Sequence, residues 1–253
     1  MFEVAADLAL LLVLAAFLAG FVDAIAGGGG LITVPALLLA GANPVEALAT
    51  NKLQGTFGSA TAAIAYARAG QVDLRSQAGM AVVSGCAGAA GALVAHLIPA
   101  EVLRVIMPIV LVAVALFFAL KPGLSDQDRV QRLSPAVFTF TAVPLIGAYD
   151  GFFGPGTGSF FMLGFVMLAG YGVLKATAHT KLLNFASNLG SLLVFVFSGS
   201  TWWIIGTAMA LAQVAGASLG ARLAMRIGAR LIKPLLVITS TAMAARLLWQ
   251  VWG

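Results

Sequence analysis

Eight stretches of this chain each stay apolar for about 20 residues, the length an α-helix needs to cross the hydrocarbon core of a bilayer at about 1.5 Å per residue. They fall at 5–25, 47–67, 77–98, 102–120, 135–153, 175–198, 202–221 and 231–251. Only 9% of the 253 residues are charged and 61% are hydrophobic, whereas a soluble domain is about a quarter charged. No water-facing surface can be assembled from that inventory. The chain reads as an all-α integral membrane protein of about eight transmembrane helices.

The N-terminal stretch MFEVAADLALLLVLAAFLAG lacks a Lys/Arg start and carries Glu3 and Asp7, so it reads as a retained first span rather than a cleaved signal. Cys86 is the single cysteine; it cannot close an intrachain disulfide and is expected to pack as a small apolar residue. The formal net charge of +5 does not point to nucleic acid, because most basic residues sit at segment ends, where they anchor to lipid headgroups. Trp202, Trp203, Trp249 and Trp252 fall at predicted segment ends as an aromatic belt, and His96 is expected at an interface.

The longest hydrophilic stretch, Lys121 to Pro135, divides two similar halves. GFVDAIAGGGGLITVPALLLAG (20–41) matches GAYDGFFGPGTGSFFMLGFVMLAG (147–170), and TNKLQ matches HTKLL. Asp23 and Asp150 lie 127 residues apart; Lys52 and Lys181, like Gly91 and Gly220, lie 129 apart. Matches in one order read as a duplication, with residues 1–120 as the first repeat, 121–134 as a linker and 135–253 as the second. Each repeat is a broken helix plus three spans. Repeat-built transporters place the substrate where the repeats meet. If 5–41 is one broken crossing, the repeats run parallel; if 31–41 is re-entrant or a separate short crossing, an inverted pair results. The basic loop residues (Arg68, Arg75; Lys121, Arg129, Arg132; Arg222, Arg226, Arg230, Lys233) nearly balance across the two sides and do not fix the orientation.

The glycine runs carry the chemistry. Backbone that leaves the helix inside a membrane is tolerated where it is buried in protein or lines a wet cavity. After the run Gly27, Gly28, Gly29, Gly30, the short apolar segment 31–41 would begin with unbonded N–H groups pointing inward. Gly156, Thr157, Gly158 and Ser159 open 159–170 in the same way. Two such starts make an anion cradle, since glycine lets a ligand approach the backbone and the helix dipole favours negative charge there.

Lys52 and Lys181 begin the next helices. An intramembrane lysine is costly enough that it must pair, snorkel or meet a ligand; a salt bridge to Asp23 or Asp150 and direct anion contact are both open. Asn51 adjoins Lys52, and a polar stripe of Asn184, Asn188 and Ser191 follows Lys181 on one helix face. Asp23 and Asp150 are the acids well inside predicted spans, readable as proton carriers or as structural partners of the lysines. His179 could titrate near neutral pH or simply satisfy a hydrogen bond. No Cys/His cluster, H-E-x-x-H or G-K-[ST] loop occurs, so no metal, cofactor, nucleotide or enzymatic constellation is expected.

With these motifs the sequence resembles the TauE/SafE (TSUP) family of sulfite and sulfonate exporters, nearest its YfcA-like branch. The resemblance rests on GGGGLITVPALLLAG with ALATNKLQGTFGSATAAIAYARAGQVDLR in the first half, and on GAYDGFFGPGTGSFFMLGF with KATAHTKLLNFASNLGSLLVF in the second. It implies a multi-pass protein of the bacterial inner membrane, built of duplicated four-helix units, that exports small sulfur-containing anions. The anion would be held by Gly27 to Gly30, Gly156 to Ser159, Asn51, Lys52, Lys181, Asn184 and Asn188. Protons are expected as the coupling ion and a homodimer as the assembly. A passive anion channel and a carrier of small carboxylates are the alternatives.

Overall fold

The computed structural model describes residues 4–119, 127–128 and 130–228, and among them it has ten α-helices and no strand. These are α1 (Ala6–Ala26), α2 (Gly30–Leu39), α3 (Pro44–Arg68), α4 (Ala78–Leu97), α5 (Ala100–Ala119), α6 (Pro135–Phe140), α7 (Ala142–Phe152), α8 (Thr157–Met167), α9 (Val173–Ser198) and α10 (Trp203–Ile227). By length and hydropathy α1, α4, α9 and α10 can each cross a membrane. α3 has the length too, at 25 residues, but buries Thr50, Asn51, Lys52, Gln54, Thr56 and Ser59. The expected span at 231–251, the residues Lys121, Arg129, Arg230 and Lys233, and Trp249 and Trp252 lie outside the described residues.

The expected single span 135–153 is two helices, α6 and α7, that part at Thr141 (φ −119°, ψ −69°). Pro144 supplies the reason. It has no N–H to offer the carbonyl four residues back, at Phe140, and its ring crowds that carbonyl. The short segments after the glycine runs do form helices, α2 and α8, of 10 and 11 residues. α3 starts on a reciprocal cap: Asn43 accepts from the Glu46 N–H (3.0 Å) and its own N–H donates to Glu46 Oε2 (2.8 Å), with Pro44 at the first helical position. Replacing Asn43 with Ala should lower the unfolding free energy by about 1 kcal/mol, read from thermal unfolding of detergent-purified protein; Asn43→Ser should retain most of it.

Lipid offers helices little hydrophobic reason to associate, so close backbone packing has to supply the attraction. The glycines show where. A Cβ on Gly151 would run into the Gly88 carbonyl, and one on Gly91 into the Ala148 carbonyl, so α7 and α4 touch backbone to backbone. α1 and α10 do the same where Gly216 meets Phe17 and Gly220 meets Phe21. Large apolar side chains such as Leu10, Leu14 and Leu18 of α1 are left facing outward. Cys86 is exposed as well, lining an apolar groove between α4 and α9 rather than packing inside; the α4 face that meets α9 directly is formed by Ser84, Gly85 and Gly88.

These contacts also give helix directions. Phe17 and Phe21 of α1 climb with Gly216 and Gly220 of α10, while Leu53 and Gly58 of α3 climb with Gly206 and Gln213. Hence α1, α3 and α10 run the same way. Ser84 and Gly88 of α4 climb with Gly147 and Gly151 of α7, and also with Leu183 and Ser191 of α9. Because the short turn at 69–77 reverses the chain between α3 and α4, the set α4, α7 and α9 runs opposite to the first. The two sets meet where α3 packs on α9. α2 and α8 tuck in at that junction, and α5 buries the stripe Leu103, Met107, Leu111 and Val114 beside α3.

Asp128, Arg132 and Leu133 strap the turn before α9. Leu168 O accepts from the backbone of Arg132 (2.9 Å) and Leu133 (3.0 Å), and Asp128 accepts from Gly172 N (2.7 Å). That N–H bond, aided by Lys175 at 3.6 Å, holds the Asp128 carboxyl below its usual range.

Candidate functional site

Each half leaves the helix within its glycine-rich segment, and the two breaks lie against one another. Gly27 caps α1 at φ 82°, ψ 174°, a conformation essentially reserved for glycine. A Cβ there would collide with the backbone N of Ser159. The Ser159 hydroxyl, for its part, donates to Ala26 O (2.9 Å). Helix ends leave their last carbonyls without partners, and those of α1 are taken up by other elements: Tyr66 of α3 donates to Ala24 O (2.9 Å), and the Lys181 ammonium of α9 to Asp23 O. At the second break Gly156, at φ 88°, precedes α8, the Tyr149 hydroxyl donates to Pro155 O (2.6 Å), and Thr157 donates to Gly154 O (2.7 Å).

Between the breaks lies a polar cavity of about 30 Å³, enough for a few atoms. Gly28, Gly29 and Gly30 line it from the start of α2, and Gly156, Thr157 and Gly158 from the start of α8. Asn51, Asn184, Asn188, Asp23 and Asp150 complete the lining. The amides are oriented by their partners. Asn51 Oδ1 accepts from Thr33 (2.7 Å) and Gln54 (3.5 Å), which leaves its NH₂ for the cavity. Asn188 donates to the Asn184 carbonyl (2.7 Å) and to Asn184 Oδ1 (3.1 Å), leaving the Asn184 NH₂ likewise. Inward-facing amide donors and two helix N-termini suit a small anion.

The charged groups pair across the halves. Lys52 meets Asp150 at 2.7 Å, both side chains being 2% exposed or less; the other Asp150 oxygen accepts from Ser187 at 2.5 Å. Lys181 meets Asp23 at 3.3 Å, and Asp23 Oδ1 accepts from Gly29 N at 3.2 Å. Each lysine is thus matched with the acid of the opposite half, and the four charges cancel.

The profile of the sulfite exporter TauE/SafE family matches residues 12–247. This chain belongs to the TauE/SafE family. It is 57% identical over 246 residues to the "Probable membrane transporter protein ORF9" of a Sinorhizobium species, covering 97% of this chain and 94% of that one. To the "Probable membrane transporter protein YfcA" of Escherichia coli K12 it is 46% identical over 238 residues, covering 94% and 88%. A "Probable membrane transporter protein" of Haemophilus influenzae is 41% identical over 248 residues, covering 98% and 97%. No solved structure matches. The TauE/SafE chain is therefore a multi-pass membrane protein of a transporter family, with a small-molecule substrate.

Of the site residues named from sequence, the TauE/SafE cavity gathers Asp23, Gly28, Gly29, Gly30, Asn51, Asp150, Gly156, Thr157, Gly158, Asn184 and Asn188. Gly27 and Ser159 form the contact between the breaks and stand behind the wall. Lys52 and Lys181 also stand behind it: neither ammonium faces the cavity, because a fully buried ammonium takes the nearest carboxylate. His179 is elsewhere, against the rings of Tyr171 (4.8 Å) and Phe165 (5.6 Å), its Nδ1 without a hydrogen-bond partner. Gly55, Gly154 and Gln213 line the cavity and were not foreseen. Gln213 donates to Gln54 (3.3 Å). A lone amide in the apolar run ALAQVAG was the available signal, since an intramembrane polar group is seldom idle.

Proposed function

We propose that this protein is a secondary transporter that exports small sulfur-containing anions, sulfite or an organosulfonate, across the bacterial inner membrane. The observation that carries the reading is the pair of half-helix N-termini, α2 and α8, opening onto one polar cavity at the junction of the two helix sets. Residues 1–120 and 135–253 act as an inverted duplication joined by 121–134: α1, α3 and α10 run opposite to α7, α9 and α4, the elements that would correspond to them. The anion is held by the amides of Gly28 to Gly30, Gly156 and Gly158 and by the side chains of Asn51, Asn184 and Asn188. Lys52 and Lys181 set the positive potential behind them. A cavity this small favours an alternating carrier over an open pore.

The test is reconstitution. Purified protein in proteoliposomes should move labelled sulfite saturably and concentrate it under a proton or anion gradient. Lys181→Ala should abolish transport by removing positive charge from behind the cavity, a loss of about 10- to 100-fold or more, while the variant stays monodisperse. Transport at the wild-type rate by that variant would remove Lys181 from the site. High-conductance single-channel events would replace the carrier with a pore, and a thermal shift with small carboxylates but not with sulfite or taurine would change the substrate class.

A further inference from the structure

The two cross-half ion pairs should be equivalent in a duplicated site, yet they differ in a way that bears on the proton. Asp150 is sealed, with Lys52 at 2.7 Å on one oxygen, Ser187 at 2.5 Å on the other, and a side chain 2% exposed. Asp23 is held by two long contacts, Lys181 at 3.3 Å and Gly29 N at 3.2 Å, and its side chain is 17% exposed. The Gly29 N–H is one of the amides that open α2, the group an anion in this cavity would need. Asp23 therefore fills, with its own carboxylate, a donor belonging to the ligand.

We infer that Asp23 is an internal competitor of the transported anion, displaced by protonation, so that each anion enters the cavity together with one proton. This rests on the cavity being the anion site. A proton from cavity water forms an O–H bond on the Asp23 carboxylate, which goes from −1 to neutral; Lys181 stays an ammonium. The Gly29 amide and the Lys181 charge are then released to the anion, and the local charge remains zero once a monovalent anion is bound. Without the proton, an anion would add a third negative charge beside Asp23 and Asp150 in a poorly solvated space, where like charges repel strongly.

The charged and titratable groups that face Asp23 come from each element packed around it. From α9 it meets Lys181, with His179 about half a turn and Lys175 nearly two turns nearer the helix start. From α3 it meets Tyr66, whose hydroxyl is committed to Ala24 O, while Lys52 on the same helix is taken by Asp150. Asp150, on α7, is the other acid that lines the cavity. α10 presents neutral Gln213, its Arg222 and Arg226 lying in the last turns, and α2 and α8 have no titratable side chain.

The sign is fixed by linkage. Anion binding favours protonated Asp23, so binding takes up a proton, and the affinity of the wild type falls as pH rises, by up to about tenfold per pH unit. Calorimetric titration of purified protein with sodium sulfite, in two buffers of different ionisation enthalpy between about pH 5 and about pH 8, reads both quantities. Asp23→Asn should keep the high affinity across that range and take up one proton fewer per anion than the wild type, with the protonation of sulfite itself cancelling in the comparison. Equal pH dependence and equal proton counts in the two proteins overturn the inference while leaving the anion site standing. If Asp23→Asn does not fold, the wild type decides alone: after subtracting the proton taken by sulfite, an uptake near one supports the inference and an uptake near zero overturns it. No binding heat at any pH removes the sulfite site, and this inference with it.

Discussion

Lys52→Ala should unfold at a much lower temperature than the wild type, with a loss of about 3–5 kcal/mol, because it leaves the Asp150 carboxylate buried without its countercharge. Both side chains are 2% exposed or less, and Ser187 is the other side chain on that carboxylate. The double variant Lys52→Ala with Asp150→Ala removes both charges and should recover most of the loss, since replacing a whole buried pair by apolar groups is often close to neutral. Lys175→Ala breaks a pair exposed at both ends, 46% and 63%, and should change the unfolding temperature little. Thermal unfolding followed by size-exclusion profile ranks the three. A double variant as unstable as Lys52→Ala would mean that packing of the lysine stem, not its charge, holds the junction.

Gly27→Ala should both destabilise the fold and stop transport. Its φ of 82° with ψ 174° costs a side-chain-bearing residue about 1–3 kcal/mol, and overlap of the new methyl with the Ser159 backbone adds about 1–3 kcal/mol. Gly41→Ala separates the two terms: it too has a positive φ, 98°, but nothing lies within 4 Å of the added Cβ. Gly41→Ala should therefore lose only the backbone part and keep transport. Equal damage from both would show that contact between the two breaks contributes nothing.

Sequence reasoning reached the elements of this site but not its wiring. The short helices after the glycine runs were legible at 31–41 and 159–170, because glycine interruption in an apolar segment has few physical explanations; they form as Gly30–Leu39 and Thr157–Met167. The asparagines were legible because an amide in hydrocarbon needs a use. Which acid each lysine takes was not, since Lys52 and Asp150 are 98 residues apart and Lys181 and Asp23 158 apart, and two similar halves offer both acids equally. The split of 135–153 at Thr141 hung on Pro144 alone within a run whose hydropathy reads as one span. Helix direction was hidden for a similar reason: helices apolar on most faces lack the polar stripe that says which side turns inward, and the backbone contacts at Gly88, Gly151 and Gly216 give it only once the fold is known.

Those backbone contacts also bear on how the two halves depend on one another. The seam of α1 is completed by α10, that of α7 by α4, and the α3–α10 and α4–α9 seams likewise join helices from opposite sides of the central linker. A polypeptide cut at that linker would yield two pieces, each displaying grooves shaped for the backbone of the missing piece and each carrying a lysine and an aspartate without a mate. The two halves fold as co-dependents, interlaced like the fingers of two hands.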